Sequence, residues 1–106
     1  MKICITADGD NLNANVDLRF GRCPYFILYD TDTDQFEAIP NTNAEGMGGV
    51  GVQNATMITE KGGEVVITGN LGPNASQVFQ QAGIKTITGV SGKIKDVVEN
   101  FKKGLL

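Results

Sequence analysis

What most constrains the fold of this chain is the order of its two hydrophobic periodicities. Runs of period two come first, then strands and helices in alternation. Met1–Thr6 alternates around Ile3 and Ile5 and reads as a strand. Tyr25-Phe26-Ile27-Leu28-Tyr29 is strongly β-prone, Asp30–Asp34 has turn chemistry, and Gln35–Ile39 alternates until Pro40, which together predict a hairpin. Val50–Lys61 has helical spacing, with Val52, Ala55 and Ile58 expected toward the core and Gly62-Gly63 as the stop. Glu64–Thr68 reads as a buried strand. Pro73 suits a first helical turn, Ala75, Val78, Phe79 and Ala82 share one face, and Gly83 closes that helix. Lys85–Thr88, continuing from Ile84, is the last strand. Ser91 is expected to cap a third helix striped by Ile94, Val97, Val98 and Phe101, with Lys102 and Lys103 favourably placed at its end.

The predicted order is βββαβαβα. A hairpin followed by βα units implies a mixed five-stranded sheet flanked by helices, an α/β architecture of the ribonuclease H-like kind. With 106 residues, residues 1–106 are expected to form a single domain. Two segments resist this scheme: Ala7–Pro24 and Asn41–Gly49, both rich in Gly, Asn or Asp and without periodicity. Long loops inside small domains usually carry function.

Composition narrows the chemistry. A net charge of −3 argues against nucleic acid, whose phosphates demand a basic face. No apolar run approaches the ~20 residues of a membrane span, and Met1–Asp8 does not read as a signal peptide. A cytoplasmic protein with reduced cysteines is the expectation. The chain contains no histidine, so the usual general base and the commonest metal ligand are missing.

Several motifs have suggestive spacing. Asp8 and Asp10 follow the first strand as nuclease carboxylates would, but the strand ending in Thr68-Gly69-Asn70 offers no acid, and Glu60 reads as a surface charge. Asp30, Asp32 and Asp34 begin like a calcium loop and fail at Gln35 and Asn41. Gly89–Ile94 is too short for a phosphate loop and lacks the hydroxyl after Lys93. Gly46-Met47-Gly48-Gly49-Val50-Gly51 matches G-x-G-x-x-G, yet no acid ends the next strand to hold a ribose. Glycines leading into a helix still expose backbone N–H groups suited to an anion, here at Gly48 and Gly49. Cys4, between Ile3 and Ile5, reads as core. Cys23 follows Arg19 and Arg22, and nearby cations favour the thiolate that ligates metals; a bystander cysteine entering a strand is the alternative of equal weight. Without C-x-x-C spacing the chain has no four-thiolate cluster site.

Asp17–Phe26, Gly46–Gly51 and Thr68-Gly69-Asn70-Leu71-Gly72-Pro73-Asn74-Ala75 resemble the dinitrogenase iron–molybdenum cofactor biosynthesis family over essentially the whole chain. The resemblance implies a non-catalytic binding or carrier domain for an iron–sulfur-type or iron–molybdenum metallocluster, acting in cofactor assembly or delivery. Cofactor-assembly or acceptor proteins would be its partners, with a homodimer as one arrangement. Members often carry histidine in the loop after the first strand or in the glycine-rich segment, neighbourhoods where this chain has Arg19 and Met47. The soft ligands left are Cys23 and Met47, with Arg19, Arg22, Gly48 and Gly49 as cluster-binding groups. A protein-interaction adaptor of the same fold, without a cluster, is the competing expectation.

Overall fold

The computed structural model describes residues 1–42 and 50–106. Its elements are β1 (Lys2–Ala7), β2 (Tyr25–Asp30), β3 (Phe36–Pro40), α1 (Val50–Glu60), β4 (Gly63–Ile67), α2 (Pro73–Ala82), β5 (Lys85–Ile87) and α3 (Ile94–Lys102). The five strands form one mixed sheet in the order β3-β2-β1-β4-β5. β1 pairs antiparallel with β2, Cys4 facing Leu28, and parallel with β4, Cys4 facing Val66. β4 pairs parallel with β5, and β2 antiparallel with β3.

The period-two pattern explains the layers. Ile3, Ile5 and Ala7 of β1 join Ile27, Tyr29, Val65 and Ile67 on one face, which α3 covers with Ile94, Val97 and Val98. Cys4, Phe26, Leu28 and Val66 form the other face, covered by Ala55 and Ile58 of α1 and Ala75 and Phe79 of α2. Each face is apolar because successive strand residues point to opposite sides and both sides carry helices. Among the described residues no helix is long and apolar enough to cross a membrane.

Three local expectations need correction. Val52 is 38% exposed: the inward stripe of α1 runs through Asn54, Ala55 and Ile58, with Gly51 against Ala75 of α2. A helix turns about 100° per residue, so Val52 leaves the stripe that Gly51 joins. Ala82 is exposed, a single methyl at the last helical residue. The cap of α3 is Lys93, without a side-chain bond, instead of Ser91. Loop carbonyls do the capping: Ile94 N–H donates to Ala14 and Lys95 N–H to Leu12, both at 2.9 Å. Gly83 closes α2 in the left-handed region, at φ 74°, where glycine carries no Cβ penalty.

Candidate functional site

The connection 8–24 leaves β1 and returns across its carboxyl end. Ala7 and Val16 form an antiparallel bridge, and Asp8 N–H donates to Asn15 O at 3.0 Å while the Asp8 carboxylate accepts from Asn15 N–H at 2.8 Å. Thr6 then grips Asp17 by the backbone: its carbonyl accepts from Asp17 N–H at 2.9 Å and its hydroxyl donates to Asp17 O at 2.7 Å. The Thr6 and Thr68 hydroxyls are hydrogen-bonded at 2.8 Å, so two buried polar groups satisfy one another across adjacent strands.

Beyond Asp17 the chain runs beside the end of β4. Asn70 N–H donates to Leu18 O at 2.7 Å, Phe20 N–H donates to Asn70 O at 3.3 Å, and Arg19 bridges Asn70 in parallel. This approach requires Gly69. A Cβ there would stand 2.6 Å from Leu18 Cα and 3.0 Å from Leu18 O, closer than any side chain tolerates. Phe20 plugs the segment into the core, 5.4 Å edge-on from Phe79 and 5.5 Å from Phe26.

Asp8, Val16, Asp17, Leu18, Arg19 and Asn70 line an open cleft of about 450 Å³. It lies at the carboxyl ends of the parallel strands β1 and β4, where open α/β sheets place ligands. Arg19 is held at its wall: Arg19 N–H donates to Asp17 Oδ1 at 2.9 Å, and its Nε donates to the same oxygen at 3.3 Å. The Arg19 side chain remains 64% exposed while that of Asp17 is 10% exposed. Asn70 precedes α2, whose N-terminus has Gly72 as cap, no side-chain cap bond and Pro73 behind it. Backbone N–H groups there carry the positive end of the helix dipole.

The expectation that Arg19 and Arg22 hold Cys23 as a thiolate is corrected. Cys23 is fully buried and its thiol donates to Phe20 O at 3.3 Å. Burial pushes it up to about 12, the negative charge of Asp17 adding to the effect against backbone and Asn41 donors. Asn41 locks the turn by donating to Gly21 O and Cys23 O at 3.1 and 2.8 Å. Cys4 is also buried, as expected, with its thiol raised chiefly by desolvation. Arg22 is exposed. Met47, Gly48 and Gly49 lie outside the described residues. Among the described residues no three His, Cys, Asp or Glu side chains converge as a metal site.

Of the residues expected to bind from sequence, Arg19 lines this cleft; Asp17, Gly69 and Asn70, which frame it, were not among them. The Asp-x-Arg spacing of an Asx turn was the available signal for the first. A glycine directly after a buried strand was the signal for the second.

The family model described as dinitrogenase iron–molybdenum cofactor matches residues 1–104. An uncharacterized protein of Methanocaldococcus jannaschii is 33% identical, over 100% of this chain and 89% of that relative. The apo form of the orange protein from Desulfovibrio gigas superposes with a TM-score of 0.93 at 34% identity, covering 98% of this chain and 88% of that one. A Thermotoga protein solved by NMR, described as NifB-like and of the DUF35 family, gives 0.83 at 31% identity, over 98% and 89% of the two chains.

Proposed function

This chain belongs to the dinitrogenase iron–molybdenum cofactor family, and from that premise we propose that it is a non-catalytic carrier that holds an anionic metallocluster in the Arg19 cleft. The cluster, of iron–sulfur or iron–molybdenum type, is cargo to be passed to assembly or acceptor proteins. The strand order β3-β2-β1-β4-β5 is read as ribonuclease H-like within this proposal, residues 1–106 as its single domain, and the cytoplasm as its place.

The observation that carries the reading is the cleft's donor set. The Arg19 guanidinium and the exposed side-chain amide of Asn70 stand at its wall, while both thiols are buried in the core. Such donors suit a cluster that brings its own sulfide ligands and needs charge compensation and hydrogen bonds. They do not suit iron held by protein thiolates, which would require Cys23 in ionised, accessible form. Leu18 and Val16 add apolar wall for weakly hydrated sulfide.

Anaerobic incubation with a thiolate-capped [4Fe–4S] cluster and with isolated iron–molybdenum cofactor, followed by gel filtration and absorption spectroscopy, tests this. Retention of either by wild type, reduced several-fold in Arg19→Ala and unchanged per folded molecule in Cys23→Ala, is expected. No retention under varied reconstitution conditions would refute the reading.

A further inference from the structure

Asp17 has an arrangement that simple anion binding does not call for. A carboxylate at the wall of a cleft for an anion is unfavourable by Coulomb's law, yet this one is 10% exposed and bonded to the cleft's own cation. Its position does not depend on that cation's side chain. Thr6 holds the Asp17 backbone through both carbonyl and hydroxyl, and Arg19 N–H holds Oδ1 at 2.9 Å. The guanidinium contacts are longer, at 3.3 Å from Nε and 3.4 Å from Nη2. The carboxylate is therefore fixed, and the largely exposed guanidinium is the part free to swing.

Resting on the carrier reading, we propose that Asp17 is a built-in competitor for Arg19 that sets the release of cargo. With the cleft empty, the guanidinium pairs with Asp17; an entering anion takes it over; on departure Asp17 receives it back. An ion pair whose guanidinium is open to solvent is weak, so a multiply charged ligand can displace it while it still biases the exchange. Asp8 supplies the comparison within the same cleft. Its carboxylate is bonded to Asn15 N–H at 2.8 Å, and Arg19 is not its partner.

The test measures release of the thiolate-capped [4Fe–4S] cluster from wild type and variants by anaerobic stopped-flow transfer to excess apo-ferredoxin. Asp17→Asn keeps an oxygen to accept from Arg19 N–H, so the loop stays folded, which amide NMR spectra verify. The variant is expected to release about three- to tenfold more slowly than wild type, the factor set by losing one exposed pair and one like charge. Asp8→Asn removes equal charge and is expected to slow release less. In an Arg19→Ala background the Asp17→Asn effect is expected to shrink to that of Asp8→Asn. Release from Asp17→Asn at or above the wild-type rate overturns the competitor role while leaving the carrier reading in place. Equal effects of Asp17→Asn with and without Arg19 also overturn it, since they mean plain charge repulsion. Retention by neither protein, or by Asp17→Asn alone, refutes the carrier reading and with it the competitor role.

Discussion

Cys23 shows how one residue's chemistry turns on the direction of its side chain. Beside Arg19 and Arg22 in sequence it has cationic neighbours, but Sγ points inward and burial dominates. Thiol reagents at pH 8 are expected to leave both cysteines unmodified in the native protein and to titrate both in urea. The same burial fixes the sign of a pH effect. The folded thiols keep their protons where unfolded ones lose them, so the stabilisation is complete below the unfolded value near 9 and is lost as pH rises toward about 12. Across that window each folded thiol makes stability fall as pH rises. Urea midpoints measured from pH 8 to 10.5 should fall with pH, and less steeply in Cys4→Ala or Cys23→Ala. Gly69 is the second decisive residue. Its Cβ position overlaps the Leu18 backbone, so Gly69→Ala must push 17–19 off β4. A loss of about 1–3 kcal/mol is expected in urea denaturation.

At the scale of elements, the segment 17–24 is held to the sheet by a plug and the sheet edge is kept open by a proline. Phe20 packs against Phe26 and Phe79, and its replacement by Ala should cost about 3–5 kcal/mol by cavity formation. Hydrogen exchange at Asn70 N–H, which donates to Leu18 O, should accelerate beyond that of β1 amides if Phe20 anchors this segment. β3 is an edge strand. Its bonded positions are Gln35, which accepts from Asp30 N–H, and those in step with it as far as Asn41, which donates to Pro24 O. Pro40 falls between them, so its nitrogen faces outward, where a proline denies a docking strand its donor. Pro40→Thr is expected to raise self-association, read by sedimentation velocity at increasing concentration.

For the molecule as a whole, two apolar layers on one sheet supply the core, and no described group of side chains depends on a metal to hold it together. Chelator treatment is therefore expected to leave the thermal midpoint unchanged, while bound cluster raises it by mass action. Because β1, β3, β4 and β5 run the same way, all three helices begin at the end where the cleft lies. The α3 end is occupied by the Leu12 and Ala14 carbonyls, whereas α2 opens without a side-chain cap. Periodicity alone determined the element order, the inward stripe of α3 and the stop at Gly83, because these are local: they depend on residues three or four apart, or on one backbone torsion. Helix faces failed where packing between elements decided them, as with Val52 and the cap of α3. The cleft was legible only as Arg19 and as an unexplained loop. Asp17, Gly69 and Asn70 meet through contacts between segments about fifty residues apart, and the Cys23 thiol is buried in a turn that Asn41 holds by the Cys23 carbonyl. Burial and charge pairing are properties of three-dimensional neighbours, and these the chain acquires only when the loop closes onto the sheet.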